Sequence, residues 1–332
     1  MVFTRSLGAD TDVVSKVMRT TSRADRNVET LIILQEMYSV SGSVNDPLVL
    51  RPEGTACAMR AHLSTSIASN SIHRYWYTGP MFRHERPQAG RYRQFRQAGM
   101  FLLFAATPAR LESLCVAGIE AIGADSMELD VECVWLCWKV IQQSFATAGR
   151  ADLASSLTMR VNSLGTDNER GGYARSLREY FASRSDLSRA SSERLQAGGS
   201  ALGILDSKHP EDSVAIAAAP PISEFWGPES RQRFQDTCSA LAELHVPVQH
   251  DASLARGLDY YNGLCWELQS ASSDSTAGTR ALTLAGGGRY DGLAESMGSK
   301  HPVPAVGEFS IRCPSHSTSS TVFRLIQAGP LG

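Results

Sequence analysis

The sequence predicts an α+β chain: a mostly antiparallel sheet, helices packed against it, and a largely helical stretch inserted before the sheet is completed. Three observations carry this. Aromatic residues occupy both faces of residues 75–83 (YWYTGPMFR), and a polar link through Arg86, Pro87 and Gly90 leads to a second short run at 93–97, which reads as two strands joined by a long loop. Leu264, Trp266 and Leu268 alternate with Cys265 and Glu267, and residues 281–285 return after a Ser/Gly-rich loop, which predicts a second hairpin. Between the hairpins, from Thr158 to about Gln249, the pattern turns helical: Leu177, Tyr180 and Phe181, then Phe234, Cys238 and Leu241, between Gly-, Ser- and Pro-rich connections.

The remaining elements follow in chain order. In residues 50–55 (LRPEGT), Pro52 stiffens the approach, Glu53 offers a carboxylate and Gly54 permits close backbone passage, so a turn followed by a helix is expected. Asp125 with Glu128 three residues later resembles a capping box ahead of Val131, Val134, Trp135, Trp138 and Ile141, a helix that should lay one face on the sheet. Residues 255–263 (ARGLDYYNG) put Arg256, Asp259 and two tyrosines at the start of a strand. Residues 286–292 (GGGRYDG) lack the Gly-Lys-Ser/Thr of a phosphate loop, and their glycines read instead as letting backbone pass under a flat ligand. From Glu308 the composition drifts to Ser, Thr, Pro and Gly without periodicity, which predicts a poorly ordered tail.

Composition bounds the function. The 332 residues are 42% hydrophobic and 20% charged, an ordinary soluble composition, and no apolar run approaches the ~18 residues that a membrane span requires. Lys and Arg (32) nearly balance Asp and Glu (34), so any nucleic-acid surface must be local. The seven cysteines are scattered, with no CxxC pair and no His at zinc-ligand spacing, so they read as reduced intracellular thiols and no metal site is expected. Cys133 and Cys137, four apart on a helix, read as small apolar fillers. Residues 1–9 show neither a secretory signal nor an Arg/Ser-rich transit peptide.

The densest chemical signal is 75–97, where Arg83, Arg86, Arg91, Arg93 and Arg96 bracket an aromatic strand and Glu85. Five guanidinium groups around one hairpin make an anion site, and the planar, permanently charged fork of arginine suits a polyphosphate. Tyr75, Trp76, Tyr77 and Phe95 would floor it. These residues alone do not identify the ligand.

Seven blocks in order then resemble the histidine-specific class II aminoacyl-tRNA synthetases of the bacterial and organellar type. They are LRPEGTA at Leu50, YTGPMFRHERPQAGRYRQF at Tyr77, GIEAIG at Gly118, VNSLGT at Val161, ILDSK at Ile204, ARGLDYYNG at Ala255 and AGGGRYDGL at Ala285. The resemblance implies a class II synthetase-like antiparallel sheet flanked by helices, with a helical insertion domain. It implies a two-step ligase, in which histidine attacks the α-phosphate of ATP, with Mg²⁺, and the acyl group then passes to tRNA(His). Arg83 and Arg256 match the two catalytic arginines aimed at the α-phosphate, and Glu85 joins them in the ATP site. Glu53, Gly54 and Thr55 match the segment that holds the amino group of histidine, while Gln97, Glu120, Tyr260 and Tyr261 match its carboxylate and imidazole contacts. A carboxylate facing an imidazole nitrogen selects histidine, because an apolar isostere would leave that acid buried without its partner. Arg86 and Gln88 match positions near the tRNA acceptor end.

Two segments depart from the family, and both are 19 residues long: 17–35 and 99–117. Removing both restores continuous family text, and their ends are compatible with intron boundaries, so they read as translated introns in a eukaryotic gene. The second falls between Gln97 and Glu120, which should share one strand of the site. The domain layout expected is the N-terminal part of the catalytic core at 1–164, a helical insertion at 165–248, the C-terminal part of the core at 249–307 and an aberrant tail at 308–332. Motif 1 with its usual homodimer contacts, the motif 3 arginine and the anticodon-binding domain are not recognised, which predicts weak or absent activity. The bacterial-type motifs point to the cytoplasm, or to a mitochondrion or plastid. Two rivals share the fold: the histidine-binding regulatory subunit of ATP phosphoribosyltransferase, and an RNA-binding paralogue without ligase activity. The intact motif 2 loop and Arg256 argue against the first.

Overall fold

A computed structural model describes residues 5–7, 39–40, 48–49, 53–65, 71–82, 94–98, 115–116, 118–147, 149, 151–205, 207, 209–254, 260–270 and 282–307. Along the chain, β1 (Arg5–Leu7), β2 (Ser39–Val40) and β3 (Leu48–Val49) precede α1 (Thr55–Ser64). Then come β4 (His73–Phe82), β5 (Gln94–Ala98), β6 (Cys115–Val116), β7 (Gly118–Ile122), α2 (Met127–Thr147), α3 (Ala151–Ser155) and β8 (Leu157–Ser163). The helical stretch holds α4 (Asp167–Ala182), α5 (Arg189–Gln196), α6 (Leu202–Leu205), α7 (Ser213–Ala217) and α8 (Pro228–Glu243). The chain returns to the sheet as β9 (Val248–His250), β10 (Asn262–Ser270), β11 (Leu282–Arg289), α9 (Leu293–Ser296) and β12 (Ala305–Gly307).

Ten strands form one sheet in the order β6-β5-β4-β7-β12-β11-β10-β8-β9, with β1 also beside β4. The β4–β5 and β10–β11 pairs are antiparallel, the two hairpins the sequence predicts, and among the described residues parallel pairing is confined to β1–β4, β5–β6 and β8–β9. The architecture is thus the α+β sheet flanked by helices that the sequence anticipates.

The register shows where segment 99–117 enters. On β4, Thr78 faces Ala98 of β5, and the next rung, Tyr77, faces Gly118 of β7. Adjacent rungs of one strand are therefore filled by residues on either side of the 19-residue segment. Gln97 faces Gly79 and Glu120 faces Tyr75, so both lie along β4 as two halves of a split strand.

Alternation along the strands sends neighbouring residues to opposite faces. Arg74 makes two hydrogen bonds (3.0 and 2.9 Å) to Glu132 on α2, whereas the Tyr75 hydroxyl lies 3.1 Å from His62 Nδ1 on α1. Helix α2 thus covers one face and α1 the other. Val131, Val134, Trp138 and Ile141 of α2 are buried, as the spacing predicts, together with Cys133 and Cys137. Burial pushes the Cys133 thiol well up. At the start of α2 the structure differs from the expected capping box: Ser126 donates to Glu128, while Asp125 pairs with Arg233 at 2.7 Å and with Arg289 at 3.5 Å. The long-range arginines win because each offers a full charge, where a cap offers one amide N–H.

Helix α4 opens with a capping box between Thr166 and Glu169, and Tyr173, Leu177 and Phe181 bury its inner face at intervals of four. No helix among the described residues is long and apolar enough to cross a membrane. The tail after residue 307 and the segment 17–35 lie outside the described residues.

Candidate active site

Six of the residues singled out in the sequence, Glu53, Gly54, Thr55, Glu120, Tyr260 and Tyr261, are brought together between α1, β7 and the start of β10. Gly54 occupies the N-terminal cap position of α1, accepting from the Ala58 amide at 2.9 Å, which seats Glu53 and Thr55 at the mouth of the helix. Both are buried. Thr55 Oγ1 donates to Glu120 Oε1 at 2.7 Å, across 65 residues of sequence. The Tyr260 hydroxyl donates to the Glu53 carboxylate, 3.1 Å from Oε1 and 3.0 Å from Oε2. Two carboxylates, 1% and 0% exposed, therefore line one site, each met by hydroxyl groups.

Tyr290 completes the set. Its hydroxyl donates to Glu120 Oε2, and its ring lies 6.0 Å from that of Tyr260 and 6.5 Å from that of Tyr261, which are themselves 5.0 Å apart. Tyr290 lies in the AGGGRYDGL block but is not among the site residues that the sequence predicts. The signal was a tyrosine at the exit of a glycine-rich strand, on the face opposite Arg289. The glycines act beneath a tyrosine of the site: a Cβ at Gly288 would stand 2.8 Å from Cδ1 of Tyr261 and 3.0 Å from the Leu264 carbonyl. Gly307 on β12 lies closer still, against the Glu120 carboxylate and the Ile119 carbonyl. Large side chains fill the site and small ones let the strands approach it.

Behind the sheet, Arg289 holds the tyrosine strand in place. Its guanidinium donates to Asp130 Oδ1 at 3.0 and 2.6 Å, to Asp291 at 3.1 Å and to the Ser126 carbonyl at 3.1 Å. Burial alone would lower its pKa, but Asp130, Asp291 and Asp125 outweigh that and hold it raised. Arg233 on α8 reaches Asp130 from the other side at 3.0 Å. A cavity of about 300 Å³ opens beside this network, lined by Asp125, Asp130, Arg233, Arg289 and Asp291 among others. The five charged groups named all pair with one another, three carboxylates to two guanidiniums.

Arg83, Glu85, Arg86, Gln88 and Arg256 lie outside the described residues, and of Gln97 only the backbone is described. Among the described residues no group of three or more His, Cys, Asp or Glu is placed to hold a metal ion.

A mostly antiparallel sheet with carboxylates and tyrosines converging at the mouth of a packed helix is the arrangement expected of the class II aminoacyl-tRNA synthetase fold. The pattern described as "Histidyl-tRNA synthetase" matches residues 33–313, and on that span this chain belongs to the histidyl-tRNA synthetase family. It is 35% identical over 308 residues to the histidine–tRNA ligase of Synechococcus sp. strain JA-3-3Ab, covering 92% of this chain and 61% of that protein. The Hydrogenovibrio crunogenus ligase is also 35% identical, over 307 residues, covering 92% and 59%. The chain thus spans about three-fifths of the length of these curated relatives. Among solved structures, apo S. aureus histidyl-tRNA synthetase superposes with a TM-score of 0.57 at 25% identity, covering 89% of this chain and 63% of that one. A Bacillus halodurans protein titled ATP phosphoribosyltransferase regulatory subunit/histidyl-tRNA synthetase shares the fold, with a TM-score of 0.52 at 20% identity and coverage of 96% and 74%.

Proposed function

We propose that this chain binds histidine in the pocket of Glu53, Thr55, Glu120, Tyr260, Tyr261 and Tyr290, as the amino-acid site of a histidine–tRNA ligase that uses ATP and tRNA(His). The observation that carries this reading is the pair of buried carboxylates met by hydroxyls. Histidine brings to such a site an ammonium group and an imidazole N–H, two donors for two carboxylates, and desolvated acids hold such donors strongly. Glu53, with Thr55 beside it, takes the ammonium. Glu120, fixed by Thr55 and Tyr290, takes the imidazole, with Tyr260 and Tyr261 against the ring. Gln97 joins them as a further contact to histidine in this reading.

ATP is the co-substrate in this reading. Arg83 and Arg256 grip its α-phosphate, with Glu85 nearby, and Arg86 and Gln88 meet the acceptor end of tRNA(His), all by family likeness. Mg²⁺ bound with the nucleotide would neutralise phosphate charge. Little covalent work falls to the protein, so positioning and charge dominate. We assign residues 165–248 to a helical insertion between the two parts of the core, 1–164 and 249–307. Cytoplasm, mitochondrion and plastid each suit this chemistry.

Calorimetric titration of the full chain with histidine is expected to show saturable one-site binding, with none for phenylalanine. Glu120→Gln is expected to weaken it by about tenfold or more, the scale of a lost charge-assisted hydrogen bond. Absence of histidine binding by the unaltered chain would overturn the reading. The split of one strand between Gln97 and Glu120 favours a second reading, a histidine-binding domain with little ligase turnover. Histidine-dependent exchange of pyrophosphate into ATP separates the two: normal synthetase rates support the ligase, and binding without exchange supports the second.

A further inference from the structure

We infer that Arg170 is a positioning residue that couples the orientation of the helical stretch to the amino-acid pocket through the Tyr261 carbonyl. Arg170 lies in the first turn of α4, yet its Nη1 donates to the main-chain oxygen of Tyr261 at 2.8 Å, 91 residues away; its Nη2 stands 3.8 Å from Asp167. Tyr261 is fully buried in the pocket and packs on Tyr260, whose hydroxyl meets Glu53. A displacement of α4 therefore acts on the peptide that carries both tyrosines.

The surroundings of Arg170 make that coupling stiff on one side and adjustable on the other. At the root of α4, the Leu164 amide donates to the Gly263 carbonyl at 2.7 Å, and the Gly263 amide donates to the Gly165 carbonyl at 2.8 Å. Both glycines have positive φ, +67° and +61°, so two tight turns face each other across these bonds. Next to Arg170, Glu169 clips the two ends of the helical stretch together. Its carboxylate accepts from the Thr166 amide at 2.7 Å, the Gly227 amide at 2.6 Å and the Ser230 hydroxyl at 2.8 Å. Trp226 Nε1 adds a bond of 3.2 Å to the Ser163 carbonyl. The root is pinned by backbone, and Arg170 is the side chain that extends from the helix to the tyrosine peptide.

Arg178, two turns further along the same helix, is the natural control. It also donates to carbonyls, those of Leu195 (3.2 Å), Gly198 (3.3 Å) and Gly199 (2.6 Å), all inside the helical stretch. Loss of either arginine removes bonds of the same chemical kind, but only Arg170 touches the pocket.

The binding arm of the test rests on the proposed function, and the exchange arm does not. In the full chain, Arg170→Met is expected to weaken histidine binding about tenfold and to speed amide hydrogen exchange across residues 260–265 about tenfold. Arg170→Lys, which keeps the charge, is expected to show about a threefold effect on both, and it carries the comparison if the methionine variant does not fold. Arg178→Met is expected to leave both quantities within twofold of the unaltered chain. Unchanged exchange at 260–265 in both Arg170 variants, or an equal change in Arg178→Met, would overturn the coupling. If the unaltered chain binds no histidine while the Arg170 variants still speed exchange at 260–265, the coupling stands and the histidine reading falls.

Discussion

Glu120 receives the Thr55 and Tyr290 hydroxyls, and Gly307 beside it leaves no room for a Cβ next to its carboxylate. Gly307→Ala would drive a methyl group into Glu120 and the Ile119 carbonyl, and neither the central strand nor the buried acid has room to withdraw. An overpacking cost of about 1–3 kcal/mol is expected, visible as a lower urea midpoint, together with at least a tenfold loss of histidine affinity. Wild-type affinity in that variant would show that Glu120 does not set the pocket. Most of the residues that meet at this site are also legible in short motifs. Glu53, Thr55, Glu120, Tyr260 and Tyr261 sit in short, ordered blocks, and local sequence dictates the turns and strand starts that present them. Tyr290 was not legible as a site residue, because its role comes from a hydroxyl bond across 170 residues.

At the scale of elements, the split strand and the helical stretch each give a measurable consequence. Ala98 and Gly118 face neighbouring rungs of β4, so a chain lacking residues 99–117 can form β5 and β7 as one strand without any change of register. Deleting the segment also removes the two-residue edge strand β6, but loop-closure entropy and the uninterrupted ladder are expected to outweigh that and raise stability by about 1–3 kcal/mol, read as a thermal midpoint several degrees higher. A lower midpoint would mean that the pairing of β6 with β5 outweighs both.

In the helical stretch, buried Asp212 accepts from the Ser188 amide (2.7 Å) and from the hydroxyls of Ser188 (2.9 Å), Ser191 (2.7 Å) and Ser207 (2.5 Å). Burial alone would raise its pKa, but the donors from Ser191, Ser207 and Ser188 outweigh that and hold it below the ordinary aspartate value. A carboxyl lowered in this way contributes stability that is full above the unfolded value of about 4, and the contribution is lost as pH falls through the folded value. Protection factors against amide exchange in residues 183–217 should therefore fall below about pH 4, and Asp212→Asn should show the lowered protection already at pH 7.

For the molecule as a whole, the Arg289–Asp130 pair joins α2 to the tyrosine strand, and Arg233 adds α8 to the same carboxylate. Both partners of the central pair are nearly fully buried, at 4% and 1% side-chain exposure. Removing one leaves the other with its remaining partners only, Arg233 for Asp130 or Asp291 and Asp125 for Arg289, so Arg289→Met or Asp130→Asn is expected to cost about 3 kcal/mol in urea unfolding. The double substitution should cost less than the sum, because the bond between the two groups is lost only once. Strict additivity would mean that the two groups act separately. What the sequence determined by itself was the kind of fold, its hairpins and helices, the family and most of the pocket, because these follow from periodicity and from short motifs whose residues act close to where they stand in the chain. Only the tertiary structure decided the strand order, the rung-for-rung register across 99–117, the part played by Tyr290 and the reach of Arg170 to Tyr261. Those depend on contacts between residues 20 to 170 positions apart, which local pattern does not encode and which close packing of the sheet against α1 and α2 fixes.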